Sequence, residues 1–195
     1  MTMPWPKAHK KETRERVLDA AAAAFRERGV DDVSVGEIMD RAGLTHGGFY
    51  AHFKSKDELV AESLSGTGSN IRERVWDSKT LPALVNMYLS TVHFGDRAHG
   101  CAIAALGPEL SRGSARVRRT LGSVIQKRLD RLNALITKGS REKRERHAVG
   151  TLACMVGGMI LARGLGGERG EEILAECRAF LRETLERSPE RSAAD

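Results

Sequence analysis

Between residues 34 and 58 the chain carries three helix-start signals, and that density constrains its fold more than any other feature. Ser34-Val-Gly-Glu37 reads as a capping box, in which the Ser34 hydroxyl receives the Glu37 amide and the Glu37 side chain reaches back, with Val33 and Ile38 at the staple positions. Thr45 is placed to cap a second helix, with Leu44 and Phe49 as its staple, and Ser55-Lys-Asp-Glu58 is a further capping box. Gly43 supplies the left-handed residue that closes the first of these helices. The segments Ser34 to Ala42 and Thr45 to Phe53 are thus two short helices separated only by Gly43 and Leu44, a helix-turn-helix arrangement. Ahead of them Val17, Ala21, Ala24 and Phe25 recur on one face of a helix from about Lys11 to Arg28, which Gly29 stops.

The pattern after Ser55 stays helical. A helix from Lys56 to Leu64 is interrupted by Ser65-Gly-Thr-Gly-Ser-Asn70, the expected hinge, and resumes over Ile71 to Trp76. Further helices are expected over Leu81 to Phe94, Cys101 to Leu106 with a stop at Gly107-Pro108, Ala115 to Lys138, Arg141 to Arg163 and Glu171 to Arg187, with a frayed end from Ser188. Nothing alternates with period two over a convincing length. The fold class is therefore all-α, with a three-helix head over residues 10–64, its helix-turn-helix at about 33–53, and a helical body over residues 71–188.

Several chemistries are excluded. The three cysteines, at 101, 154 and 177, form no CxxC pair and are odd in number, which argues against a disulfide framework or a structural zinc and for a reducing cytoplasm. The longest apolar run, Thr151 to Ala162, stops at Arg163, short of the roughly 18 residues that cross a bilayer, and the start of the chain lacks the apolar centre of a signal peptide. No membrane partner is expected, and the expected location is cytoplasmic. The net charge of +6 points to an anionic partner. Its distribution is awkward, because residues 1–65 hold ten Lys/Arg against eleven Asp/Glu, while the remainder holds 22 against 15. Local placement has to carry the inference: Lys7, Lys10, Lys11, Arg14 and Arg16 crowd the leading arm, and Lys54 and Lys56 follow the second short helix.

That second helix, in Thr-His-Gly-Gly-Phe-Tyr-Ala-His-Phe, is intrinsically weak, since each of Gly47 and Gly48 costs roughly 1 kcal/mol relative to alanine. Bare backbone at a helix N-terminus lets amides approach a phosphate, which offsets the cost when nucleic acid is the partner. Phe49 and Phe53 fall on one face and hold the helix to the first two, leaving Thr45, His46, Tyr50 and His52 around the other faces. A metal site on His46 and His52 fails on spacing, because six residues place them about 120° apart on a helix. Acid-base catalysis lacks a partner and a pocket. No cofactor is called for.

Gly47, Tyr50, Phe53, Lys56 and Leu59, together with Val33, Ile38, Ala42 and Gly43 and with Ala24, Phe25 and Gly29, resemble the head of the TetR family of bacterial transcriptional regulators over about residues 10–64. The resemblance implies a homodimer whose recognition helices enter successive major grooves of a palindromic operator. It makes Thr45, His46 and Gly47 groove-facing and places Ser34, Gly48, Tyr50, His52, Lys54 and Lys56 at the DNA, with Tyr50, His52, Lys54 and Lys56 mainly on phosphate. Many relatives have Ser or Thr where this chain has Gly48, so one hydroxyl contact is missing.

A regulator also needs a dimer interface and an effector. Gly150, Ala153, Cys154, Gly157 and Gly158 form a small-residue surface on one late helix, and Ile173, Leu174, Cys177, Phe180, Leu181 and Leu185 a stripe on the next. They are expected to make a four-helix bundle across the two-fold; the alternative is that they face only their own core. The resemblance suggests a small-molecule cavity whose lining includes Tyr88, Phe94 and Met155, with Met87, Ile103, Leu106 and Met159, although such a stripe equally describes plain core. Cys101, after Gly100 at a helix start and near Arg97 and His99, is set up for a lowered thiol pKa and reaction with electrophiles or oxidants, and Gly100-Cys101 resembles the same helix start in electrophile-sensing TetR repressors. The alternative is a buried packing cysteine. Cys154 and Cys177 are expected to be packing residues. The basic run from Arg112 to Arg131 reads as solvated surface, the alternatives being that it holds an acidic effector or adds nonspecific attraction to DNA. Two other classes compete: a cysteine enzyme using Cys101 with His99 or His93, which lacks any triad signature, and a DNA-packing module without an effector, whose basic excess would lie in the head.

Overall fold

The computed structural model describes residues 7–65 and 75–186, and among them no strand occurs. The helices are α1 (Lys7–Arg28), α2 (Val35–Arg41), a 3-10 helix (His46–Ala51), α3 (Lys56–Ser65), α4 (Leu81–Tyr88), α5 (Thr91–Gly95), α6 (Ala102–Ser111), α7 (Ala115–Leu135), α8 (Arg141–Leu165) and α9 (Gly167–Glu186). The chain divides into two compact units, Met1–Gly68 with Arg97–Val124 and Ser69–Asp96 with Ile125–Asp195.

In the first unit α1, α2 and α3 pack through Val17, Ala21, Phe25, Ile38, Met39, Leu59 and Val60, all fully or nearly fully buried. Gly29 takes φ +93° and Gly43 φ +67°, the left-handed turns that end α1 and redirect the chain after α2. The α2 cap forms as expected, with the Glu37 amide donating to the Ser34 hydroxyl at 3.1 Å. The reciprocal half of that box does not form. The Glu37 carboxylate instead pairs with Arg28 and, at 3.7 Å, with Arg41, because a guanidinium attracts it more strongly than a neutral amide. The second box is complete in a shifted form: the Glu58 amide donates to Ser55 at 3.1 Å, and the Glu58 carboxylate takes the Lys54 amide at 2.6 Å.

Four expected boundaries are corrected. The helix expected from Thr45 to Phe53 is a six-residue 3-10 helix, and Thr45 occupies its N-cap without a side-chain cap bond. The segment Leu81 to Phe94 is two helices, because Ser90 caps α5 through the His93 amide at 3.2 Å and breaks the run after Leu89. The helix after Cys101 continues through Gly107 and Pro108 to Ser111, since burial of Leu106 and Leu110 on either side outweighs the one hydrogen bond that proline forfeits. The last helix begins at Gly167, four residues early, with positive φ at Gly166 and Gly167 absorbing the reversal from α8. The expected hinge from Gly66 to Asn70, the expected resumption over residues 71–74 and the chain beyond Glu186 lie outside the described residues.

In the second unit α8 and α9 pair along their length, Arg163 of α8 holds α5, and Arg131 of α7 holds the chain ahead of α4. Arg163 donates to the carbonyl of His93 at 2.8 Å and of Phe94 at 3.3 Å, and Arg131 to that of Trp76 at 3.0 Å. Gly158 leaves the space that Cys177 fills in this pairing: a Cβ there would lie 2.6 Å from the Cys177 sulfur. The expectation that no segment is apolar enough to cross a bilayer is also corrected. By length and composition α8 qualifies, with mean hydropathy 1.6 over its best window, because a window average tolerates the Arg163 that ends an uninterrupted run; 39% of that window is buried. One face of α8, with Leu152, Met155, Met159 and Ala162, is buried, while Val149, Ile160, Leu161 and Leu165 remain exposed.

Candidate nucleic-acid interface

The 3-10 helix is held from beneath and open above. Phe49 and Phe53 are each 1% exposed and stack with centroids 5.7 Å apart and planes at 26°. The Arg14 guanidinium lies 4.6 Å from the Phe53 centroid and pairs with Glu62 of α3, while Arg16 donates to the Ala42 carbonyl at the end of α2. Two of the five cations of the leading arm are therefore committed to building the head. A third, Lys11, lies 3.8 Å from Glu15.

On the opposite side Thr45, His46 and Gly47 are exposed, as are Ser34 and Lys54, with Gly48, His52 and Lys56 half-buried. Tyr50 is 73% exposed, standing edge-on to Phe49 at 5.2 Å and leaving its hydroxyl free to reach outward. The structure thus brings the nine residues of the sequence-derived set onto the helix-turn-helix and its two flanking caps. His52 is the least free of them. Its Nδ1 is buried without a hydrogen-bond partner, and burial, with Lys10 and Arg14 nearby, holds its pKa below the ordinary histidine value.

The glycines are informative for what does not surround them. A Cβ on Gly47 would meet nothing within 4 Å, and one on Gly48 would make ordinary contact, 3.5 Å, with Met39 Cε. Neither takes a positive φ. Among the described residues nothing in the fold requires glycine at either position. Gly36, which the sequence reading passed over, has a different environment: a Cβ there would sit 3.3 Å from His46 Nδ1, so its absence gives the imidazole room on the N-terminal turn of α2. A glycine inside the Ser34–Glu37 capping box was the available signal.

The charge distribution also changes once the chain is folded. The segment from Arg97 to Val124 belongs to the same compact unit as the head and carries five arginines against one glutamate, which reverses the head's own slight negative balance. Arg116 of α7 lies 3.4 Å from Glu58 and 3.7 Å from Glu62, compensating acids beside the cap of α3. Glu109 of α6 accepts the amides of Val30 and Asp31 at 2.7 and 2.9 Å, bracing the connection between α1 and α2. The run from Arg112 onward is therefore more than solvated surface.

Of the residues expected at an effector site, Cys101 is the N-cap of α6 in the first unit and is 5% exposed. Tyr88 and Met155 lie in the core of the second unit at 1% and 0% exposure, and Phe94 is half-buried there. Tyr88 meets His93 edge-on at 4.7 Å and Trp76 at 6.2 Å. A cleft of about 250 Å³ in that unit is lined by a different set, including Leu81, Val85, Ile136, Leu181 and Arg182.

A short helix, a glycine turn and an exposed second helix laid over a three-helix core define a helix-turn-helix DNA-binding protein. The model of the bacterial regulatory proteins of the tetR family matches residues 17–63. The chain is 43% identical over 67 residues to the HTH-type transcriptional regulator AcrR of Shigella flexneri, covering 34% of this chain and 31% of that protein. It is 34% identical over 95 residues to the regulator TtgW of Pseudomonas putida, covering 44% of this chain and 67% of TtgW. The chain thus spans about a third of the length of the first curated relatives it matches. A crystal structure of a TetR transcriptional regulator from Chloroflexus aurantiacus superposes with a TM-score of 0.76 over 92% of this chain and 97% of that one, at 24% identity, which is a likeness of fold. The chain belongs to the TetR family.

Proposed function

We propose that the protein is a cytoplasmic transcriptional repressor that binds a palindromic operator as a homodimer and is released by a small effector or by electrophile or oxidant modification of Cys101. The observation that carries the DNA-binding part is the pair of glycines at the start of the 3-10 helix, whose missing side chains the fold does not need. Backbone N–H groups at a helix N-terminus have no intrahelical acceptor, and that of Gly47 stands on the same surface as Thr45 and Tyr50, whereas the Gly48 N–H already donates to the Thr45 carbonyl at 3.0 Å. Phosphate oxygens are their natural acceptors, with Thr45, His46 and Gly47 toward base edges and Ser34, Tyr50, His52, Lys54 and Lys56 toward the backbone. The exposed apolar face of α8 and Phe180 of α9, at 60% exposure, supply a surface for a second copy. Cys101 is favoured as the responsive thiol by its place at the start of α6, whose other end bears the Glu109 brace on the head.

The test is a titration of the purified protein against DNA flanking its own gene, at several salt concentrations, with and without a thiol reagent. Sharp, site-specific and salt-sensitive binding is expected. Uniform binding to unrelated duplexes would reject the repressor reading, and release of a Cys101→Ser variant by the reagent would reject Cys101 as the sensor.

A further inference from the structure

Two of the three thiols, spaced 23 residues apart in sequence, meet in the fold. Cys154 of α8 and Cys177 of α9 face each other across the helix pair, both free and half-buried, with the Cys154 thiol 4.0 Å from the Cys177 carbonyl. The approach depends on Gly158, one helical turn beyond Cys154 on the same face. A Cβ there would stand 2.6 Å from the Cys177 sulfur and 3.3 Å from its Cβ, so the glycine leaves the space that the second sulfur occupies. Met155, Leu174 and Leu181, all buried, lie on the same two helices.

From this geometry we propose that Cys154 and Cys177 form a dithiol site that captures trivalent arsenicals, and by the same chemistry antimonials, as a two-sulfur chelate.

The protonation state of Cys154 favours this class of ligand over others. Burial first, and then the adjacent Cys177 thiol, push the Cys154 thiol up to about 12, so the site holds a protonated thiol at neutral pH. Attack on a hydroperoxide requires the thiolate, and soft divalent cations displace thiol protons into solvent; both are penalised here. A trivalent arsenical needs neither step. An organoarsenic dihydroxide condenses with two thiols, forming two As–S bonds and breaking two As–OH bonds. Each thiol proton leaves on a hydroxide as water, with no change in oxidation state and no net release of protons. The second bond closes within one site, so its effective concentration advantage replaces thiolate nucleophilicity as the source of affinity. Cys101, a single buried thiol in the other unit, offers no such chelate.

The site is independent of how the head reads DNA, and its test uses the intact protein with phenylarsine oxide as probe. One phenylarsenic unit per chain is expected by intact mass, with loss of two of the three titratable thiols. Release is expected with a dithiol competitor, and retention at the same concentration of a monothiol. Cys101→Ser should keep the adduct, while Cys154→Ser and Cys177→Ser should each lose it, with far-UV circular dichroism confirming that both variants fold. Gly158→Ala keeps both thiols but fills the space beside Cys177, and capture should fall at least tenfold. An adduct that survives either serine variant, requires Cys101, is stripped by monothiol or is unchanged in Gly158→Ala would overturn the proposal.

Discussion

Phe49 and Phe53 stack with their centroids 5.7 Å apart beneath the 3-10 helix, and the Arg14 guanidinium covers the second ring at 4.6 Å. A six-residue 3-10 helix containing two glycines has little stability of its own, so this stack is what fixes the presented surface. Phe49→Ala is expected to cost about 3–5 kcal/mol, read as a lower urea midpoint, because it empties a fully buried site. Tyr50→Phe, one residue along but 73% exposed, is expected to leave the midpoint within about 0.5 kcal/mol. It should instead weaken operator binding by about tenfold, the loss of one hydrogen bond to a charged acceptor, and do so alike for every sequence. Equal loss of stability in both variants would mean that Tyr50 is a packing residue.

The two glycines are expected to separate in their response. Gly47→Ala fits the protein without contact, so its stability should hold or rise, while its operator affinity should fall because the methyl group stands on the surface that meets the DNA. Gly48→Ser has room beside Met39 and restores a hydroxyl, so affinity should rise, by up to about tenfold. Fluorescence anisotropy on one labelled operator, with melting curves in parallel, distinguishes these outcomes. Unchanged affinity in Gly47→Ala would remove the close backbone approach from the mechanism.

His93 sets an acid limit on stability. It is 2% exposed, donates from Nδ1 to the Tyr88 carbonyl at 2.6 Å, and burial foremost lowers its pKa below the ordinary 6.5. Because the unfolded chain then takes up the proton more readily than the folded one, the stabilisation is fully present above 6.5 and is lost as pH falls from there toward the lowered value. His52 titrates with the same sign, from its own burial and from Lys10 and Arg14. Urea midpoints measured between neutral pH and about 5 should therefore decline, and His93→Gln, which keeps a donor for Tyr88 without a titrating group, should flatten part of that slope. An identical slope in the variant would assign the decline elsewhere.

The head was legible in sequence because its signals are local: caps, a turn glycine and aromatic spacing each act within four residues. What escaped depends on long-range contacts. Arg14 and Arg16 read as free cations until Phe53, Glu62 and Ala42 are placed beside them. The basic excess looked misplaced until residues 97–124 joined the head's unit, and the Glu109 brace spans 79 residues. Proline at 108 gave a local stop signal that the burial of Leu106 and Leu110 overrode. In the body, periodicity found the apolar stripes but did not divide them between the chain's own core and its surface. Cys154 and Gly158 face α9, whereas a Cβ on Gly150 or Gly157 would meet nothing within 4 Å.

That division gives a direct test of the dimer. Leu161 and Leu165 are 59% and 58% exposed on α8, Ile160 beside them is exposed, and Phe180 of α9, near Gly150, is 60% exposed, so water contacts apolar side chains along both helices in the single chain. Gly150, Gly157 and Gly164 leave open space between these larger side chains, so a second helix can approach closely. Leu161→Arg adds a charge where the single chain has solvent, so its helicity and intrachain packing should be unchanged. Across a two-fold contact, however, the same charge occurs twice in an apolar setting and is desolvated without a partner, which is far more costly than the lost apolar area. Sedimentation velocity should therefore show the variant as a monomer at concentrations where the parent is a dimer. Operator affinity should fall by at least about a hundredfold, because the two half-sites no longer bind as one linked unit. A variant that stays dimeric would place the two-fold contact on another surface and leave this face of α8 for some other partner.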